Sequence, residues 1–256
     1  MARLLALSLA AWALAAAPRA FADSLDVAAA ADLRPALDEL VRAFRAEHPG
    51  LDVRVSYGAS GTLAAQIGRG APFDLFFSAD ERYPRTLVDS GAAVAESLTR
   101  YATGHLALWI PSGAPVEPDA SLAALKDPRV RRVAIANPAH APYGRAAEEA
   151  LRAAGILDAV RPRLVLGESV AQAAQFAESG NADAALLPLS IALTPALRRA
   201  GRHVAVAPSL DPGIAQAAVV TQRGRRNVAA TALLRFAIGP AGRDILRQRG
   251  FGAPRR

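Results

Sequence analysis

The residues best placed to do chemistry recur where an apolar run gives way to a helical pattern. They are Ala30-Ala31-Asp32, Gly58-Ala59-Ser60-Gly61, Ala141-Pro142-Tyr143-Gly144 and Glu168-Ser169-Val170. Each reads as strand, small-residue turn, helix. The first N–H groups of a helix have no acceptor within it and carry a partial positive charge, so several helix starts converging on one cleft make an anion site without any formal cation. Ser60 can add a hydroxyl donor, and Gly61 permits close approach of the backbone. A single turn of this kind is ordinary helix capping. Four of them, placed as a two-lobed chain would place them, point to anion binding.

Catalytic chemistry is poorly supported. No Gly-x-Ser-x-Gly elbow, Walker loop or His-Glu-x-x-His helix occurs, and the four histidines, His48, His105, His140 and His203, are dispersed. The chain has no cysteine, which removes disulfides, thiolate metal sites and cysteine nucleophiles together. A secreted hydrolase with Ser60 as nucleophile on its sharp turn is the enzymatic alternative. It needs a histidine within reach, and none is predicted beside Ser60. The acidic pairs Glu148/Glu149 and Glu178/Asp183 read as solvated charge.

The positioning elements follow from periodicity. Ser24–Ala30 reads as a strand. Asp32–Glu47 reads as an amphipathic helix with Leu33, Leu37, Leu40, Val41 and Phe44 on one face and Pro35 in its first turn. Leu51–Tyr57 alternates as a second strand, completing a βαβ unit; Thr62–Arg69 is helical and Phe73–Ser78 is an apolar strand. Gly104–Ile110 and Gly213–Thr221 are each read as one strand, and the segment between them is αβ in its own right. It holds strands at 132–137, 162–166 and 184–189 and helices at 144–154 and 170–179. Helices at 227–239 and 240–250 return to the first half. The expected architecture is α/β, with two lobes joined by two extended crossings and a ligand cleft between them. Its first lobe comprises residues 23–103 and 213–256, its second residues 104–212.

With 256 residues, 52% of them hydrophobic and 21% charged, the chain can bury a substantial core and is not an intrinsically disordered one. Residues 1–22 carry Arg3, an apolar run from Leu4 to Ala17 and the small-x-small site Ala20-Phe21-Ala22, the pattern of a secretory signal peptide. Its removal deletes Arg3 and Arg19 and no acid, taking the formal charge from +7 to +5. Lys126 is the only lysine. The arginines are spread over the chain without one periodic face, so no nucleic-acid partner is expected.

Four segments together resemble the molybdate-binding proteins of bacterial ABC importers. They are Val27–Leu33, Gly58–Ile67, Gly70–Asp80 with its run Ala71-Pro72-Phe73-Asp74-Leu75-Phe76-Phe77-Ser78, and Ala136–Ala147. The resemblance spans about residues 24 to 251. It implies a type II periplasmic binding protein that receives molybdate, and tungstate, as an oxyanion and delivers it to a membrane permease. It further implies a monomer in the periplasm, no catalysis, no cofactor and no direct metal ligand. Carried over residue by residue, the oxyanion is held by Ala31 and Asp32 at the first turn, Ser60 at the second, Tyr143 at the third and Val170 at the fourth. One branch of the family has serine at the position of Asp32 and a tyrosine where this chain has Pro188; another supplies the tyrosine from the position of Tyr143. Asp32 is expected to give its N–H to the cleft and to turn its carboxylate back onto the N–H of Arg34 as a helix cap. A phosphate or sulfate receptor of the same fold is the alternative ligand reading, since hydrogen phosphate wants one acceptor and Asp32 can offer it.

Overall fold

The computed structural model describes residues 24–254; the expected signal peptide lies outside the described residues. In chain order, β1 (Ser24–Ala30), α1 (Arg34–Glu47), β2 (Asp52–Gly58), α2 (Ser60–Gly68), β3 (Leu75–Ser78), α3 (Arg82–Asp89) and β4 (Thr99–Gly104) come first. Then follow β5 (Leu106–Pro111), β6 (Val133–Ala136), α4 (Pro142–Ala153), α5 (Leu157–Val160), β7 (Leu164–Gly167), α6 (Val170–Glu178), β8 (Ala184–Pro188), α7 (Leu189–Ala192), α8 (Pro195–Ala200) and β9 (Gly201–Ala205). The chain closes with β10 (Ile214–Val220), α9 (Val228–Ile238) and α10 (Pro240–Gln248).

The described strands form two five-stranded sheets of the same plan, ordered β2-β1-β3-β10-β4 and β7-β6-β8-β5-β9. In the first, β1 runs parallel to β2 and β3 while β10 is antiparallel to β3 and β4. In the second, β6 runs parallel to β7 and β8 while β5 is antiparallel to β8 and β9. The antiparallel fourth strand of each sheet is the one that has just crossed from the other. A strand buried on both faces must be apolar throughout. In β1, Leu25, Val27 and Ala29 meet the α1, α9 and α10 side, and Ala28 meets Leu63, Ile67 and Leu87 on the other. Helix α1 buries Ala36, Leu37, Leu40, Val41 and Phe44, a stripe at helical spacing.

One sequence expectation needs correction. Gly104–Ile110 is not a single strand: β4 ends at Gly104 in the first sheet and β5 begins at Leu106 in the second. The break is a change of hydrogen-bonding partner, and apolar patterning carries no sign of it. His105 stands between, its carbonyl accepting from Leu189 N–H at 2.8 Å. Buried Asp211 ties the two crossings together, its carboxylate accepting from Leu106 N–H at 2.8 Å and from Gly213 N–H at 3.1 Å. Asp211→Ala leaves both amides without that acceptor and is expected to cost about 2–4 kcal/mol of stability. Thermal unfolding measures this, and an unchanged Tm would remove Asp211 from the framework.

Candidate functional site

The carboxyl ends of the two sheets face each other, and the turns that leave them line one small cavity. A single 3₁₀ turn, Ala31–Leu33, follows β1; Ser60 opens α2; Tyr143 is the second residue of α4; Val170 opens α6. All five residues expected at the site, Ala31, Asp32, Ser60, Tyr143 and Val170, stand on its wall. Alanines at positions 30, 59, 79 and 141 fill the spaces between them, and no arginine, lysine or histidine lines the cavity. Small side chains are what allow two backbones to close on one ligand. Among the described residues no group of three His, Cys, Asp or Glu side chains is placed to hold a metal ion.

Local sequence decides which donors face inward. At α6, Ser169 accepts from Gln172 N–H at 3.4 Å while Gln172 Oε1 accepts from Glu168 N–H at 2.7 Å. The Ser169 cap satisfies the third amide of the helix, and the first, on Val170, remains outside the intrahelical bonding. At α2 the N-cap is Ala59, which has no side-chain acceptor to offer. Ser60 is fully buried and its Oγ accepts from Ala79 N–H at 3.0 Å, which leaves the hydroxyl proton to be donated. That oxygen is bonded to an amide, not to an imidazole, so Ser60 is not arranged as a hydrolase nucleophile.

The expected cap on Arg34 does not form: neither the 3₁₀ turn nor α1 has a side-chain cap. The Asp32 carboxylate instead accepts from Gln216 Nε2 at 2.7 Å, with the Tyr143 hydroxyl, across the cleft, close beside it. Gln216 Nε2 also reaches Tyr143 Oη at 3.1 Å, and its Oε1 accepts from the Tyr101 hydroxyl at 2.6 Å. The reason is geometric, since a residue inside a 3₁₀ turn at the cleft floor meets the buried network of the closed lobes before it meets the helix start. Burial raises the Asp32 carboxyl to about 6, against the pull of Gln216, Tyr143 and nearby amides. Burial first, and then the carboxylate beside it, raise the Tyr143 hydroxyl well above its ordinary value. Gly104 makes room for this network: a Cβ there would collide with the Tyr143 hydroxyl and Gln216 Nε2.

Contacts between the lobes surround the cavity. Gly61 N–H donates to the His140 carbonyl at 3.0 Å, and Ser190 Oγ donates to the Asp32 carbonyl at 2.8 Å. A Cβ on Gly61 would press on the His140 carbonyl and the Tyr83 hydroxyl, so this glycine serves lobe approach. Arg145 on α4 donates to Asp80 Oδ2 at 2.8 Å and to Tyr83 Oη at 3.0 Å. Burial pushes Asp80 upward, but its bonds from Arg82 and Arg145 outweigh that and hold the carboxyl below its usual range. Sequence reasoning missed Asp80, Arg145 and Gln216. Gln216 had a visible signal, a lone polar residue within the apolar run Ile214–Val220, and it is fully buried.

Two α/β lobes linked by two crossings, with a donor-lined cavity where their strand ends meet, define a solute-binding protein of the two-lobed class. The chain belongs to the bacterial extracellular solute-binding protein family, whose model matches residues 25–252. It is 36% identical to the molybdate-binding protein of Azotobacter vinelandii over 90% of each chain. To that of Rhodobacter capsulatus it is also 36% identical, over 92% of this chain and 90% of the relative. The solved structure of the A. vinelandii periplasmic molybdate-binding protein superposes with a TM-score of 0.82 at 33% identity, covering 90% of this chain and all of that one (100%). The family binds solutes and does not catalyse reactions on them.

The raised Asp32 carboxyl has a consequence for stability. The folded state holds this proton more tightly than the unfolded chain, so its contribution is present below about pH 4 and is lost as pH rises through about 6. Asp32→Asn should therefore match the parent near pH 4 and exceed it at pH 7.5, by up to roughly 3 kcal/mol. Denaturation of the unliganded proteins at both pH values checks this; equal stability at pH 7.5 would mean that the network fully satisfies the ionised carboxylate.

Proposed function

We propose that this chain is the periplasmic receptor of a molybdate ABC importer, binding the molybdate dianion in the closed cleft and delivering it to the membrane permease. What supports the reading is the donor set: residues that carry helix-start amides, Ser60 and Val170, and hydroxyls, Ser60 and Tyr143, line one cavity that has no cation on its wall. Two relatives 36% identical over nine-tenths of the chain bear the name molybdate-binding protein, which supports it. Molybdate and tungstate carry no proton at neutral pH, so a wall of donors suits them. Sulfate shares that charge and is smaller, which makes cavity size the discriminating quantity. Hydrogen bonds to charged groups contribute about 1.5–3 kcal/mol each, so five to seven of them sum to roughly 8–21 kcal/mol against the roughly 8–12 kcal/mol of micromolar to nanomolar binding, and what exceeds that figure offsets dehydration and lobe closure. In this reading the protein is a monomer that holds no cofactor and binds no nucleic acid.

Molybdate should raise the Tm through mass action, by about 4 kcal/mol of added stability at a thousandfold excess over Kd. Ser60→Ala and Tyr143→Phe should each weaken binding by roughly 1–3 kcal/mol, measured by calorimetry. Stabilisation by a sugar or amino acid and not by millimolar molybdate would sink the reading, and parent-like binding by Tyr143→Phe would remove the tyrosine from the donor set.

A further inference from the structure

Asp32 is at odds with a cavity that receives a dianion. Its carboxylate is buried, and the groups facing it are neutral: the Gln216 amide on β10, the Tyr143 hydroxyl on α4, Tyr101 on β4 behind Gln216, and the amides of Asp32 and Leu33. From α7, Ser190 bonds only the Asp32 carbonyl. Arg34, two residues along, stacks over the Tyr57 ring instead, its guanidinium carbon 4.0 Å from the centroid. The other charge noted nearby is acidic, Asp211, whose field reaches Tyr143. Among the described residues no arginine, lysine or histidine pairs with Asp32. An anion entering this cleft meets a fixed negative charge and nothing formally positive.

Resting on the reading of the cavity as an oxyanion site, we propose that the cleft takes its anion together with one proton, held between the Asp32 carboxyl and a ligand oxygen. While Asp32 is ionised, its charge draws the proton of the adjacent Tyr143 hydroxyl toward itself. A proton on Asp32 removes the repulsion, turns the carboxyl into a donor and frees the Tyr143 hydroxyl to redirect its own proton to the ligand. Gln216 Nε2 keeps an acceptor throughout, the remaining carbonyl oxygen of the acid. Burial has already brought Asp32 to about 6, so the proton is close at hand near neutral pH, and an adjacent dianion raises it further. For molybdate or sulfate the proton comes from solvent; hydrogen phosphate brings its own.

The test is calorimetry with molybdate, sulfate and phosphate in buffers of different ionisation enthalpy, which counts protons per anion bound. At pH 7.5 the parent should take up close to one proton per molybdate, and Kd should weaken about tenfold per pH unit between pH 6.5 and 8.5. Asp32→Asn should take up none and bind with a Kd that is flat over that range. The parent measurement stands even if the variant folds poorly. A flat Kd with no proton uptake in the parent overturns the proposal, as does uptake that persists in Asp32→Asn. If molybdate fails to bind while sulfate binds, the molybdate reading falls and the proton count with sulfate decides the proposal; if no anion binds, both fall.

Discussion

Burying a dianion without a counter-cation, as the proposed oxyanion site requires, sets the terms for the rest of this molecule. Moving charge out of water is expensive, and only groups already aimed at the ion can replace its hydration without a further reorganisation cost. Helix-start amides meet that need because their dipoles are fixed by the fold and their protons have no internal acceptor. The strand–turn–helix units therefore do more than build sheets. Each brings the first turn of a helix to a strand end, and two sheets of one plan bring those ends face to face. The Ser169 cap shows the sorting at residue level, since it consumes the third amide of α6 and leaves the first, on the cavity-lining Val170, outside the intrahelical bonding.

Closure depends on how near the two backbones can come, and here the alanine-rich composition has a local role. Ala30, Ala31, Ala59 and Ala79 from one lobe join the apolar cluster that contains Ala141, Tyr143 and Val170 from the other. The charged contacts are kept outside. Arg145 and Asp80 pair at the rim, where Arg145 is still partly solvated, so cohesion between the lobes is supplied without putting a guanidinium on the ligand. This separation leaves the cavity floor nearly neutral in its side chains. Asp32 is the exception.

Much of this was legible in the chain because the relevant signals are local. The order of strand and helix follows from periodicity, and the four turns were recognisable by their small residues; all five residues singled out lie on one wall. What escaped depends on partners distant in sequence. Asp32 looked like a helix cap because aspartate favours that position, but Gln216 and Tyr143, 184 and 73 to 111 positions removed from their partners in the network, compete for it once the lobes close. The division of residues 104–110 between two sheets is likewise a matter of hydrogen-bond partners, to which hydropathy is blind. The Arg145–Asp80 pair joins two segments that the family resemblance had already marked, yet nothing in either segment alone says that they meet.

Asp32 shows how one side chain can change the chemistry of an otherwise neutral site. At a separation near 4 Å and an effective dielectric constant of about 20, each pair of unit charges costs about 4 kcal/mol, so an ionised carboxylate beside a dianion would cancel several hydrogen bonds. A serine at this position, as in one branch of the resembling family, brings no such charge. The network around Asp32 does not cure the problem: Gln216 donates to the ionised form and the Tyr143 hydroxyl lies beside it, but both are neutral. Keeping the carboxyl buried and close to its titration point resolves the conflict, because occupancy by an anion and occupancy by a proton then favour each other. The residue least suited to an oxyanion site by its formal charge thereby becomes the one through which pH acts on the site.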